Sequence, residues 1–271
     1  MNLFFEIIKL IVELLIIIFV SKNLLVPIIR NLGKNLKLKP NTIGNIAGIA
    51  TSIPEFLTVT FSAVNGMIDT GIFNILSSNI SNTIQYIISI LVNKNVKLLK
   101  NKYIKLNMIL VLLTIIIPII VWKLHVGDSI IIVPIFIILF YIFNKINMIT
   151  HNKIENIKEV EENKFRNRKI YVYAIYILLI GIILYIVGTL LSNTLKNLCY
   201  IFNISELIIG VVLGVATSTP EFITFIESQK FHKDTNKELG IIEASNNLLV
   251  SNTLNLFIIQ SLSIIIIYFL E

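Results

Sequence analysis

Gly48-Ile-Ala-Thr-Ser-Ile-Pro-Glu-Phe-Leu-Thr58 returns later in the chain as Gly214-Val-Ala-Thr-Ser-Thr-Pro-Glu-Phe-Ile-Thr224, eight of the eleven positions being identical. Both copies lie inside apolar segments, where a carboxylate, hydroxyls and a proline are costly or disruptive. One loop further on, each copy is followed by a second shared pattern. Asn74-x-x-x-Ser78-Asn79-x-x-Asn82 is matched by Asn247-x-x-x-Ser251-Asn252-x-x-Asn255. Interrupted apolar segments in corresponding halves of a chain mark secondary transporters with a site near the bilayer midplane.

The rest of the chain supports a membrane setting. Of 271 residues, 55% are hydrophobic and 14% charged, and the mean hydropathy is +0.84. Those values place the chain outside the soluble globular class. Runs long enough to cross roughly 30 Å of hydrocarbon fall at 3–29, 41–66, 71–92, 104–122, 129–148, 170–192, 204–227 and 240–270. The expectation is an all-α membrane protein with eight transmembrane helices. The last run would measure about 46 Å as one helix at 1.5 Å per residue, so it must tilt, protrude or break. The first run lacks a basic leader and a small-residue cleavage site, and reads as a first membrane helix and not as a removable signal peptide. With a single cysteine, Cys199, no intramolecular disulfide can form.

The net charge of +7 could suggest nucleic acid, but the basic residues sit in short connections between apolar runs. Lys and Arg number five, five, seven and three in the 1–2, 3–4, 5–6 and 7–8 connections. Only Lys123 and Lys196 occupy the alternate ones, a bias of twenty to two. By the positive-inside rule the N-terminus is outside and the rich connections, including 5–6, are cytoplasmic. The second and seventh runs then cross in opposite directions, which makes the two copies an inverted repeat. The expected division is a first repeat over 1–148 (motifs at about 41–92), a cytoplasmic linker over 149–169, and a second, shorter repeat over 170–271 (motifs at about 204–260). The expected location is the plasma membrane of a prokaryote.

Within each motif a proline precedes the glutamate. It removes a backbone donor and frees a carbonyl one turn earlier, near Ala50 and Ala216. With the hydroxyls of Thr51, Ser52, Thr217 and Ser218, these are hard oxygen donors suited to calcium or sodium. Asn74, Ser78 and Asn82 are spaced i, i+4, i+8 and share a helix face, as do Asn247, Ser251 and Asn255. Small and polar residues also serve helix packing and interhelical hydrogen bonds, which accounts for any one hydroxyl or amide. It does not account for Glu55 and Glu221, whose ionised forms cost several kcal/mol at the bilayer centre (about 3) unless paired. No Lys or Arg stands near either, so cations from solution are the natural partners. Asn79 and Asn252 project to another face and are expected to stabilise helix contacts.

The paired G-x-x-T-S-x-P-E and S-N-x-x-N patterns resemble the two α-repeats of the calcium/cation antiporter superfamily, especially the sodium/calcium exchangers. Ile204-Ser-Glu-Leu-Ile-Ile-Gly210 is similar to the family's lead-in to the second copy. The resemblance implies exchange of Ca2+, or a similar divalent cation, against Na+ or H+ by alternating access, without a bound cofactor. By motif position it implies ion binding by Thr51, Ser52, Glu55, Ser78, Asn82, Thr217, Ser218, Glu221, Ser251 and Asn255. The sequence departs from the pattern twice. It ends after the eighth run, where the family implies ten helices, so the expected fold is exchanger-like but lacks the last two helices. It also has Asn255 where sodium/calcium exchangers commonly carry aspartate. The short second half leaves an alternative, a non-transporting or partner-dependent homologue or subunit of a cation exchanger; a homodimer or partner could replace the absent pair.

The remaining charges have plainer readings. Glu6 and Lys9 can pair or snorkel at the outer interface; Glu13 reads as a hydrogen bond within the bundle; Glu243 reads as a solvated carboxylate at a helix end. His125, His151 and His232 fall in predicted loops. An enzyme is not expected: an intramembrane protease would need a Ser/His pair or two aspartates in the apolar runs, and Asp69, Asp128 and Asp234 all fall in loops.

Overall fold

The computed structural model describes residues 3–36, 39–64, 66–124, 129–152, 170–202, 205–234 and 236–270. It is built from helices, with no strand among the described residues. Among the described residues, seven helical stretches are long and apolar enough to cross a membrane: Pro40–Val64, Asp69–Val92, Lys102–Lys123, Ile132–Ile149, Tyr171–Leu191, Leu207–Phe231 and Lys237–Leu270. These correspond to the second through eighth predicted runs. The first, α1 (Leu3–Val20), carries Glu6, Lys9 and Glu13. It continues through a π-helical turn, Ser21–Leu25, into α2 (Val26–Asn35), so the run predicted over 3–29 reaches residue 35. Lys22, Arg30 and Lys34, assigned to a connection, belong to this helical stretch. The turn precedes Pro27, whose missing N–H interrupts the i to i−4 ladder. A second long helix, α8 (Ile170–Phe202), packs against α1 and extends ten residues past the predicted end at 192. The linker predicted over 149–169 lies outside the described residues beyond Asn152, as do His125 and Asp128.

Each run that bears the first motif is broken in its middle. The first is α3 (Pro40–Thr51) and α4 (Ile53–Val64), separated at Ser52 with φ −81°, ψ 3°. Its counterpart is α9 (Glu206–Thr217) and α10 (Thr219–Phe231), separated at Ser218 with φ −72°, ψ −2°. Pro54 and Pro220 stand two residues past each break, so the same sequence cause gives the same local structure twice. The second motifs lie on α5 (Ile68–Val92) and on α11 (Lys237–Thr253). A π-helical stretch, Leu254–Ile259, carries α11 into α12 (Gln260–Leu270), so the last run neither breaks nor stops. The helices α6 (Lys102–Lys123) and α7 (Ile132–Asn152) complete the bundle.

The two halves interlock through glycines. On α3, a Cβ at Gly44 or Gly48 would collide with the α11 backbone; at Gly48 it would stand 2.8 Å from the Asn247 carbonyl oxygen. On α9, a Cβ at Gly210 or Gly214 would collide with the α5 backbone at Thr70 and Asn74. Each half thus lays its first half-helix, through a small-xxx-small pair, on the long polar helix of the other half. This exchange is the inverted repeat expressed as packing. Apolar clusters flank it, one centred on Tyr86, Phe136, Phe225 and Phe257, the other on Ile17, Ala47, Leu184 and Leu213. Polarity runs inside out. Asn82, Asn255, Glu55 and Glu221 are fully buried while Ile138 and Leu178 are 59% and 63% exposed, the distribution a protein shows when its outer solvent is lipid.

Candidate functional site

Where the exchanged helices cross, the motif side chains form one hydrogen-bonded set with near two-fold symmetry. Ser78 Oγ on α5 donates to Glu55 Oε1 at 2.9 Å and lies 3.0 Å from Ser218 Oγ at the opposite break. Ser251 Oγ on α11 donates to Glu221 Oε1 at 3.0 Å and lies 2.8 Å from Ser52 Oγ. Each serine therefore ties the glutamate of its own repeat to the break of the other. The amides repeat the pattern: Asn82 Nδ2 donates to Ser251 Oγ at 3.3 Å, and Asn255 Nδ2 donates to Ser78 Oγ at 3.4 Å. Thr217 interacts with Glu55, and Thr51 with Glu221. Asn79 and Asn252 close the centre, each donating to the other's backbone carbonyl at 3.3 and 3.2 Å. All ten residues singled out from the sequence meet here, and all are buried.

The network leaves specific atoms unused. Glu55 Oε2, Glu221 Oε2, Asn82 Oδ1 and Asn255 Oδ1 are buried without a hydrogen-bond partner. Leaving even a neutral buried acceptor unpaired costs about 1–3 kcal/mol, and more when it is charged. The two carboxylates are also close enough to feel each other electrostatically. The four orphaned oxygens, two of them from carboxyl groups, are hard donors by chemical type. The break carbonyls are less available than the prolines alone imply. Ala47 and Gly48 accept from the Thr51 and Ser52 hydroxyls, and Leu213 and Gly214 from those of Thr217 and Ser218. The Ala216 carbonyl, a candidate ligand from sequence, already accepts from Thr219 Oγ1 at 2.8 Å. Ile53, at the corresponding place, offers Ala50 no hydroxyl.

Some supporting residues escaped the sequence reading. Thr58 Oγ1 accepts from Asn74 Nδ2 at 2.9 Å; its identity with Thr224 at the end of the repeated motif was the available signal. Thr114 on α6 accepts through its carbonyl from Asn79 and through its hydroxyl from Asn252; one threonine in an apolar run carries no signal. Two readings are corrected. Glu243 is 2% exposed and not solvated: Ser228 Oγ donates to its Oε1 at 2.6 Å, and His232 Nε2 lies 3.2 Å from its Oε2. His232 caps the C-terminus of α10 and is buried against this carboxylate, a pairing invisible until the α10–α11 turn brings the two together. Two smaller expectations hold. Thr194 Oγ1 donates to Glu13 Oε1 at 3.0 Å, and Lys9 pairs with Glu6 at 2.8 Å.

Buried carboxylates from two inverted halves, joined by serines and amides inside a helical membrane bundle, define a cation-handling transport protein of the exchanger type. The sodium/calcium exchanger protein family model matches residues 7–145 and 172–270, and the chain belongs to that family. Solved structures of the sodium-calcium exchanger NCX_Mj share its fold. One, soaked with 2.5 mM Na+ and 0.1 mM Sr2+, aligns over 98% of this chain and 83% of its own with TM-score 0.61 and 18% identity. Another, soaked with 10 mM Na+ and no Ca2+, aligns over 96% and 82% with TM-score 0.59 and 22% identity. No curated protein matched the chain. The protein is therefore an integral membrane cation exchanger by family, and the family is one of transporters and not of enzymes.

Proposed function

We propose that the chain is a secondary antiporter that exchanges Ca2+, or a similar divalent cation, for Na+ or H+ at the crossing point of its two repeats. The observation that carries this reading is the set of four buried, unpartnered oxygens on Glu55, Glu221, Asn82 and Asn255. Glu55 and Glu221 supply the charge. Thr51, Ser52, Ser78, Thr217, Ser218 and Ser251 orient them and complete the oxygen shell, and Asn82 and Asn255 contribute neutral oxygens. Coupling follows from mutual exclusion, because the same two carboxylates serve either the divalent cation or its competitors. The repeats are assigned to 1–148 and 170–271, joined by the 149–169 linker. The α1–α2 stretch and α8 form the moving pair, rocking against α3–α5 and α9–α11. The basic connections put the N-terminus outside and the linker in the cytoplasm.

The test is calcium uptake into proteoliposomes under an imposed outward Na+ or H+ gradient, with Mg2+ and Mn2+ compared. The expected result is gradient-driven uptake by the native protein and none by Glu55→Gln or Glu221→Gln. Native-like flux in either variant removes the site assignment.

A further inference from the structure

Between the α10–α11 turn and the crossing point lies a buried polar group that the crossing-point site does not use. Glu243, Asn247 and Ser251 follow one another at i, i+4, i+8 on α11, so they share a face, and all three are buried. Ser251 belongs to the crossing point; Asn247 stands about 6 Å before it along the helix, and Glu243 about 12 Å. The carboxylate is held in place: Ser228 Oγ donates to its Oε1 at 2.6 Å, and His232 Nε2 lies 3.2 Å from its Oε2. Gln229, next to Ser228, is itself fixed, donating to Ser89 Oγ at 2.7 Å and accepting from Asn95 Nδ2 at 3.0 Å. Asn247 is different. Both its Oδ1 and its Nδ2 are buried without a hydrogen-bond partner, whereas its counterpart Asn74 uses its Nδ2 on Thr58. Asn45 Oδ1, on the turn of α3 between the two glycines packed on Glu243 and Asn247, is buried without a partner as well. Buried amide atoms left unpaired are costly and mark a place where a ligand or water belongs.

We propose that Glu243 and Asn247 form a staging site for a hydrated divalent cation, one step before the crossing point, on the side of the bundle that carries the α10–α11 turn. The inference rests on the antiporter reading above and adds a site to it. Asn247 Oδ1 is a neutral hard donor of the kind that calcium takes beside carboxylate and water. Glu243 supplies the charge; about 6 Å away along the helix, it acts on the cation through space and keeps its bonds to Ser228 and His232. Lys230, Lys233 and Lys237 flank the turn and repel an approaching cation, Lys230 being partly offset by Glu227 at 3.1 Å. A carboxylate set between low-dielectric walls draws cations past that barrier. The first repeat has no such group, since aligning the motifs puts Thr70 at the place of Glu243. The staging site therefore stands on one side only, and it serves whichever cation enters from that side.

The experiment measures initial calcium uptake by the full chain in inverted and in right-side-out membrane vesicles under an outward Na+ or H+ gradient. Inverted vesicles present the α10–α11 turn to the medium, in the orientation given above. There Glu243→Gln should raise the half-saturating calcium concentration by at least about tenfold, the factor for removing one negative charge about 6 Å from a divalent cation even at the dielectric constant of water. Asn247→Leu keeps the volume and removes two unpartnered polar atoms. It should raise the half-saturating concentration too, while the thermal unfolding midpoint stays level or rises. In right-side-out vesicles both variants should match the native protein. Equal shifts on both faces, no shift on either, or a shift confined to right-side-out vesicles overturns the staging site and leaves the antiporter intact. No gradient-driven uptake by the native protein in either preparation overturns both.

Discussion

The two repeats agree closely at their crossing point and diverge away from it. At the centre, Glu55–Ser78–Ser218 and Glu221–Ser251–Ser52 are bonded alike, within a few tenths of an ångström. One turn outward the likeness ends. Asn74 donates to Thr58, whereas the matching Asn247 has both side-chain atoms buried without a partner. Where the second repeat buries Glu243 against Ser228 and His232, aligning the motifs puts Thr70, Ser62 and Gly66 in the first. The helix α5 runs regularly through Asn82, while the corresponding stretch past α11 is π-helical around Asn255, a distortion frequent at functional sites. The comparison teaches that symmetry is kept where the two glutamates and serines of opposite halves meet and is released where each half faces its own surroundings.

The sharpest break of this comparison is at the carboxylates. Saturating calcium at about a hundred times its dissociation constant should stabilise the native protein by about 2.7 kcal/mol, read as a rise in the thermal unfolding midpoint in detergent. Glu55→Gln and Glu221→Gln should each abolish that rise, and to the same degree. A calcium-dependent rise surviving in one variant but not the other would show that the centre is functionally one-sided.

Next in size are the interlocking glycines. Gly48→Ala and Gly214→Ala place a methyl against the opposite half's backbone, at a cost of about 1–3 kcal/mol for overpacking. Gly188→Ala, whose Cβ meets nothing within 4 Å, should be neutral or stabilising. Equal midpoints for all three, measured by thermal unfolding with size-exclusion recovery, would mean that the close α3–α11 and α9–α5 crossings do not hold the halves together.

A third comparison sets Ser228 against Ser62. Ser228→Ala removes a hydrogen bond to the buried Glu243 carboxylate, a loss of about 1.5–3 kcal/mol. Ser62→Ala removes only a bond to the Thr58 carbonyl and should cost about 0.6 kcal/mol. Equal losses would reduce the Glu243 cluster to ordinary packing.

Much of this architecture is legible in the chain because its causes are local or repeated. The breaks at Ser52 and Ser218 follow from prolines that lack a donor, and the ten site residues are marked by duplication in polar patterns too costly for lipid. The boundaries of the outer helices are less legible, since Lys22, Arg30 and Lys34 look like a connection but ride on a helix that continues past Pro27. Glu243 and His232 are hard to read for a different reason. Each is unremarkable where it stands, and only the α10–α11 turn makes them a pair. Thr114 is beyond sequence reasoning altogether, because its role comes from the angle at which α6 meets two asparagines.

The smallest effect lies at the break itself. Thr219 Oγ1 satisfies the Ala216 carbonyl that Pro220 leaves free, while Ile53 in the first repeat packs its side chain toward Gly181 of α8. Thr219→Val keeps the shape and removes the hydroxyl, so the second break should come to resemble the first. One hydrogen bond within a membrane bundle is worth about 0.6 kcal/mol, because the freed carbonyl still accepts from the Ser218 N–H. The unfolding midpoint should therefore move slightly and calcium-driven stabilisation should persist. A loss of that stabilisation would mean that Thr219 does more than trim the break: it would place the Ala216 carbonyl among the ion's ligands and extend the asymmetry of the repeats into the site.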